Sequence, residues 1–519
     1  MERVPKAARL VAGVAALLVV LVAALVGSGC GGSDPDSSSA AEADLTGSAF
    51  PGIDKANTRF AKGSIDTSNV SELAEAWSVP LTAQSAYGAY AATPAIGNGV
   101  IYSQDLESNV QAIDLASGEV LWTKRYDDPS QGPNGVVVDD GTVFGATSTA
   151  AFALDQKTGK QLWATTLARN AKEGIDMAPG YHEGIVYVST VPGNARGFYE
   201  GEGIGILWAL DGKTGKKLWR FNTVPTDLWS KKSFSINSGG GLWQPPSFDE
   251  KGSIYFGTGN PAPFPGTPEF PWGSSRPGPN LYTNSVVKLD AKTGKMDWYY
   301  QQTPHDVYDW DFQNPPVLVE AGGKKLAIGS GKVGIVTALD RETGKPVWST
   351  PVGEHNGHDD DGLYAMRGED SKLKKEAEVL PGVLGGVIAP VASNETTLFV
   401  PVVNGSATQV EGASLGGGSE MTGELVALDI ATGKVQWKQE FPAAAFGSPV
   451  AVNDLVFVST FDGIVYALDD KGGREVWQAS LPAGSNTAVM VSGDTLVVPA
   501  GIASAEGQLP AIVAFRPGG

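Results

Sequence analysis

Gly463-Ile-Val-Tyr-Ala-Leu-Asp469-Asp-Lys-Gly-Gly473-Arg-Glu-Val-Trp477 reads as two strands around a tight turn. Apolar residues alternate before Asp469 with the period of a strand. Gly473 can take the positive φ that such a turn needs. The second strand ends in a tryptophan. The same sentence recurs at Asp114…Gly118…Trp122, Asp155…Gly159…Trp163, Asp211…Gly215…Trp219, Asp290…Gly294…Trp298, Asp340…Gly344…Trp348 and Asp429…Gly433…Trp437. Each copy is the hairpin of a small antiparallel sheet.

From Asp114 to Asp155, and again from Asp429 to Asp469, the chain advances by about 40 residues, the length of one four-stranded propeller blade. The wider gaps are a blade plus an insertion. A Trp at a fixed place in each blade can fill the space to its neighbour. Two fragments remain unpaired. Leu73-Ala-Glu-Ala-Trp77 at the front lacks partner strands, and Thr495–Pro499 with Ala511–Phe515 at the back lacks a closing Trp strand. Together they make one further blade. The sequence therefore predicts an all-β fold: a single eight-bladed propeller of four-stranded antiparallel blades over residues 66–519, with the ring closed by both termini.

Composition agrees with that reading. The 519 residues include 67 Gly and 33 Pro, a supply of turns that suits short strands and not a helical bundle. Net charge is −19, and so acidic a surface argues against nucleic acid as a partner. With one cysteine in the chain, intrachain disulfides, Cys-rich zinc sites, iron–sulfur clusters and a CxxCH haem attachment are excluded. No GxSxG, P-loop or HExxH motif occurs.

Arg3, Lys6 and Arg9 precede an apolar run from Leu10 to Val26, and small residues lead on to Cys30. This is the layout of an export signal over residues 1–30, with Cys30 a candidate for lipid attachment. Gly27 stands where a bacterial lipobox usually has Leu. The alternative is an uncleaved membrane anchor, since the run is about long enough to span. Both readings put the remainder outside the cytoplasmic membrane, and the first makes it a membrane-anchored lipoprotein. Residues 31–65 read as a flexible tether leading into the propeller, small, polar and acidic over 31–49.

The longest insertions carry the candidate chemistry. Ser253-Ile-Tyr-Phe-Gly-Thr-Gly-Asn260-Pro-Ala-Pro263 is followed by Thr303-Pro-His305-Asp306-Val-Tyr-Asp309-Trp-Asp311 and by Gly329-Ser-Gly-Lys332-Val-Gly. The Trp repeat and these segments resemble the quinoprotein alcohol dehydrogenases, the propellers that use pyrroloquinoline quinone. The resemblance covers nearly the whole mature chain. It implies that Asp309 is the catalytic base, that Lys332 pairs with quinone oxygens and that Trp243, in Gly-Gly-Gly-Leu-Trp-Gln-Pro-Pro, underlies the flat cofactor. It implies a metal held by Glu200, Asn260 and Asp309, with Glu202 an alternative to Glu200. Asp311, two residues after the base, is similar to the extra ligand of the lanthanide-dependent branch, while calcium stays open. The chemistry suits these residue types. A planar polyanion needs an aromatic floor and cationic donors, a hard cation makes its carbonyl electrophilic, and a carboxylate can take the alcohol proton. Read alone, Asp309 or Asp311 could cap a loop, Asn260 could hold a turn, Trp243 could be packing, and Lys332 could be solvated. His305 and Asp306 read as a structural turn, and His355-Asn-Gly-His358-Asp-Asp-Asp361 as a solvated acidic loop.

Three departures alter the upper wall of the implied pocket. The adjacent cysteines of the dehydrogenases are missing from the stretch near Asp128-Pro-Ser-Gln-Gly-Pro-Asn134-Gly, the arginine that the resemblance leads one to expect after that Asn is missing, and Gly386-Val-Ile-Ala-Pro390 replaces an Asn-Trp pair. The resemblance implies a quinone-dependent enzyme that oxidises an alcohol with a bound calcium or lanthanide ion and passes electrons to a separate carrier such as a cytochrome. The alternative is a non-catalytic propeller lipoprotein that holds or assembles other proteins.

Overall fold

The hairpin at Asp469 forms the two outer strands of a blade, Ile464–Asp469 and Glu475–Ser480, with Val450–Val452 and Leu455–Ser459 inside them. The computed structural model describes residues 48–195, 201–225, 229, 235–411, 416–417 and 420–518. Eight such sheets form the propeller, seven of them essentially four strands paired in sequence order and the eighth joining the first strand of the ring to its last three. The repeat Asp explains the turn: Asp340 Oδ1 accepts from the backbone N–H and the hydroxyl of Thr343 at 2.9 and 2.7 Å, and Gly344 follows at φ 68°.

Six of the seven motif tryptophans dock on the turn of the next blade, while Trp477 packs edge-on against Phe515 with ring centres 5.5 Å apart. Trp348 Nε1 donates to Ile430 O at 2.9 Å, and its ring lies against Gly433, where an added Cβ would stand 2.4 Å from the ring. Trp122, Trp163, Trp219, Trp298 and Trp437 repeat the bond to the residue after the next motif Asp. Trp77 makes it to Leu115 O at 3.1 Å and is the missing member of the set. The expected closure is present: Leu73–Pro80 pairs antiparallel with Ala511–Pro517, which continues through Thr495–Ala500 to Met490–Ser492.

Residues 48–65, the end of the segment read as tether and entry into the propeller, are packed into the ring. Ala49 bridges Val138, Ser393 N donates to Thr58 O at 2.8 Å, Ala451 N to Arg59 O at 3.0 Å, and Ser64 N to Gly493 O at 2.9 Å. Val138, Ser393 and Ala451 lie on the first strands of three different blades, so the segment laces innermost strands together. Residues 1–47, with Cys30, lie outside the described residues.

Successive strands of a blade run in opposite directions, so the link from second to third strand and the link between blades emerge at the same face. Gly257 to Ser285, Gln301 to Val317, Gly329 to Ile335 and Pro351 to Ala392 are all such links. They gather over one side of the ring.

Candidate active site

Asp309 lies on a loop whose shape is imposed by Asp306. The buried Asp306 carboxylate accepts from Tyr308 N at 2.8 Å and from Trp310 N at 2.7 Å. That bracket leaves Asp309 between them at φ 64°, in the left-handed region that a non-glycine residue enters only under constraint. Arg276 reinforces it, donating to Asp306 O at 2.7 Å and to Pro263 O at 3.0 Å. His305 sits between Gly278 O and Trp272 O, and burial foremost, then Arg276, pushes its imidazole down to about 4. His305 and Asp306 are therefore structural, as expected.

Three ionisable groups meet inside. Lys332 Nζ is 2.8 Å from Asp309 Oδ2 and 2.7 Å from Asp311 Oδ2. Asp311 is fully buried, and its Oδ1 accepts from Asn260 N at 2.6 Å. The same ammonium lies 4.5 Å from the centre of the Trp243 ring. Burial opposes the charge of Lys332, yet Asp309 and Asp311 outweigh it and hold its pKa above the ordinary value. Asp309 is driven the other way: burial, helped by the Asp311 charge, raises its carboxyl well above the usual range against the pull of Lys332. Its Oδ1 has no hydrogen-bond partner. Two close backbone approaches keep the cluster in place. A Cβ on Gly259 would stand 2.9 Å from Asp311 Oδ1, and one on Gly386 would stand 2.0 Å from Lys332 O.

These groups border a cavity of 950 Å³. Trp243, Asn260, Asp309 and Lys332 line it together with Gly240, Gly241 and Gly259. Tyr87, Gln131, Gly132 and Asp176 form another part of the lining, so the stretch without cysteines does face the cavity. Pro263, Phe264, Pro268, Val383, Leu384 and Ile388 give it apolar walls. Ile388 comes from the Gly386–Pro390 stretch, whose Val387 and Ile388 carbonyls are held by Asn314 and Gln313 at 2.9 Å each.

The structure thus brings Trp243, Asn260, Asp309, Asp311 and Lys332 to one place. Glu200 lies outside the described residues. Glu202 is exposed at φ 61° and does not line the cavity. The loop 355–361 is not simply solvated. His358 and Asp361 are buried, 2.7 Å apart, and Asp361 Oδ2 accepts from the Tyr308 hydroxyl. A buried phenol beside the base loop requires an acceptor, and this loop supplies it. Asp176 was missed in the sequence; its one signal is a lone acid in the apolar run Ile175-Asp-Met-Ala178.

Donors of this kind fit a hard cation and an anionic planar ligand. Asp309 and Asp311 offer carboxylate oxygens, one without a partner, and Lys332 over Trp243 offers a cation beside an aromatic face. Among the described residues no group of three or more His, Cys, Asp or Glu converges on one point.

The chain matches the family described as glucose/ethanol/alcohol dehydrogenase, β-propeller domain, over residues 50–136 and 177–358. It also matches the outer membrane protein assembly factor BamB family over residues 106–242 and 381–517. The first match contains Trp243, Asn260, Asp309, Asp311 and Lys332; the second stops before Trp243 and resumes beyond Lys332. The quinohemoprotein alcohol dehydrogenase of Comamonas testosteroni is 29% identical over 516 residues, covering 86% of this chain and 70% of its own. The quinoprotein alcohol dehydrogenase PedH of Pseudomonas putida is 29% identical, covering 81% of this chain and 79% of its own. The solved Comamonas testosteroni enzyme superposes with a TM-score of 0.77 at 26% identity, over 91% of this chain and 81% of that one. A europium-containing methanol dehydrogenase, 21% identical, gives 0.73 over 90% and 97%, which bears on the fold alone.

Proposed function

The chain belongs to the pyrroloquinoline quinone-dependent alcohol dehydrogenase-like propeller family, and on that footing we propose that it oxidises an alcohol outside the cytoplasm. The observation that carries this reading is the Asp309–Lys332–Asp311 cluster beside Trp243, on a cavity wide enough for a cofactor and a substrate. The cofactor set is the quinone with calcium or a lanthanide ion. Asn260, Asp309 and Asp311 are the described residues that would hold the ion, with Glu200 proposed as a further ligand. Trp243 and Lys332 would hold the quinone.

When bound, the quinone accepts two electrons and the ion polarises its carbonyl. The rest falls to the protein. Asp309 Oδ1, unpartnered in the folded chain, faces the work of taking the hydroxyl proton from the alcohol. Lys332 orients the other oxygen and offsets the second carboxylate. The apolar lining from Phe264, Leu384 and Ile388 keeps water from the reacting carbon and accepts the carbon skeleton of the substrate. On this reading the electrons pass to a separate carrier such as a cytochrome, which the likeness to quinoprotein alcohol dehydrogenases supports.

The test is reconstitution. Protein prepared without cofactor is mixed with the quinone and calcium or lanthanum, followed by bound-quinone absorbance and dye-linked alcohol oxidation. Binding and turnover support the enzyme. A chain that binds no quinone with either ion belongs to the second reading, a propeller scaffold, which the assembly-factor match favours. We also propose that Cys30 anchors the mature chain through lipid; among the described residues no helix is long and apolar enough to cross a membrane.

A further inference from the structure

Asp176 follows the short strand Glu173–Gly174, which pairs with Val191 and Pro192. It is 6% exposed and lines the same cavity as Trp243 and Lys332. The backbone N–H of Gln131 lies near its carboxyl, which has no cationic partner among the described residues. Tyr87 is its titratable neighbour on the adjoining segment, and burial together with the Asp176 charge raises that phenol. Val191 and Pro192 are apolar, and the remaining described charges on the cavity are Asp309 and Lys332.

A buried carboxyl with one donor and no counter-ion resists ionisation. Burial lifts Asp176 to about 7, so near neutrality much of it carries its proton. Ionised, it would repel a polyanion entering this cavity. Protonated, it has an O–H to donate, and a carboxylate is its strongest acceptor.

We propose that Asp176 binds a carboxylate of the quinone as a neutral acid, so that cofactor capture takes up a proton. This rests on the quinone reading above. Gln131 and Gly132, from the stretch that lacks the adjacent cysteines, line the cavity together with the acid. An approaching anion stabilises the protonated form further, so binding and protonation strengthen one another.

The experiment uses full-length protein, pyrroloquinoline quinone and calcium between pH 5.5 and 8.5. Affinity is read from quenching of tryptophan fluorescence, and proton uptake from calorimetry in two buffers of different ionisation enthalpy. The wild type should bind most tightly at low pH and lose roughly tenfold in affinity per pH unit above about 7, with close to one proton taken up. Asp176→Asn keeps a donor without a titration, so its affinity should stay near the acid-side value with a flat profile. A flat wild-type profile with no proton uptake overturns the proposal and leaves quinone binding intact. An unchanged slope in Asp176→Asn also overturns it. Absence of quinone binding at every pH removes both this proposal and the enzyme reading. If Asp176→Asn fails to fold, the two-buffer measurement on the wild type decides alone.

Discussion

Lys332 Nζ stands 2.8 Å from Asp309 Oδ2, while Asp309 Oδ1, on the same carboxylate, has no partner at all. One oxygen is anchored and the other is buried without a donor, so a hydroxyl brought to it would meet an unsatisfied acceptor. Asp309→Asn keeps the size and removes the proton acceptor. Dye-linked alcohol oxidation should fall by about 10²-fold or more, the usual scale of a lost general base. Quinone absorbance of the reconstituted protein should persist. Unchanged turnover would take Asp309 out of the mechanism.

Asp311 decides between the ions. A trivalent ion gains more from a second carboxylate than a divalent one does. Lanthanum should therefore support higher activity than calcium, and Asp311→Ala should abolish that preference. Activity with calcium that equals or exceeds lanthanum, unaffected by Asp311→Ala, would leave Asp311 as the acceptor for Asn260 N and nothing more.

Trp348 tests the blade junctions. Its indole spans from its own strand to Ile430 O and covers Gly433. Trp348 is partly buried, so Trp348→Ala should cost about 2–3 kcal/mol, below the roughly 3–5 kcal/mol of a fully buried aromatic deletion. Trp348→Phe keeps most of the packing and loses only the N–H donor, about 1 kcal/mol. Urea denaturation separates the two values. Equal losses would mean that the hydrogen bond, not the ring, holds the junction.

His305 makes the fold sensitive to acid. Its folded-state value is depressed to about 4, chiefly by burial, whereas an unfolded chain protonates it near 6.5. Burial and Arg276 disfavour its charged form and outweigh the two carbonyl oxygens that would accept from it. Its contribution is present above pH 6.5 and is lost as pH falls from there toward 4, about 3 kcal/mol in all. Stability measured by denaturant over that window should fall less steeply in His305→Asn than in the wild type. Parallel slopes would show that His305 does not govern the loss.

Cys30 can be checked directly. Mass spectrometry of the mature chain from membranes should show a lipid-modified residue at Cys30 and no residues before it. In Cys30→Ala the protein should leave the membrane fraction. Retention of residues 1–29 would favour the uncleaved anchor.

The blades were legible because their signal is periodic: Asp, Gly and Trp recur at one spacing, and Trp77 fell into place as the member that docks on Leu115. Trp243, Asn260, Asp309, Asp311 and Lys332 were legible because they lie in short segments with distinctive neighbours. Residues 48–65 were not, because backbone atoms do much of the lacing and a carbonyl such as Thr58 O leaves no mark in a sequence. Asp176 was hidden for another reason. Its setting is assembled from Gln131, Tyr87 and the cavity wall, none of them close to it along the chain. His358 and Asp361 looked solvated by composition, and only the Tyr308 hydroxyl beside them explains their burial.

The pairing of Leu73–Pro80 with Ala511–Pro517 also sets a timetable. A ribosome releases the first of these strands long before the last, so the growing chain carries an unsatisfied sheet edge through nearly the whole of its synthesis. Blades in between can form from neighbours as they appear, but the circle cannot lock until the final strand arrives. A premature stop that removes only residues 511–519 would spare every residue proposed for catalysis and still leave both lips of the seam open to other chains. Quality control during biogenesis, more than chemistry at the cavity, is where such a lesion would be felt.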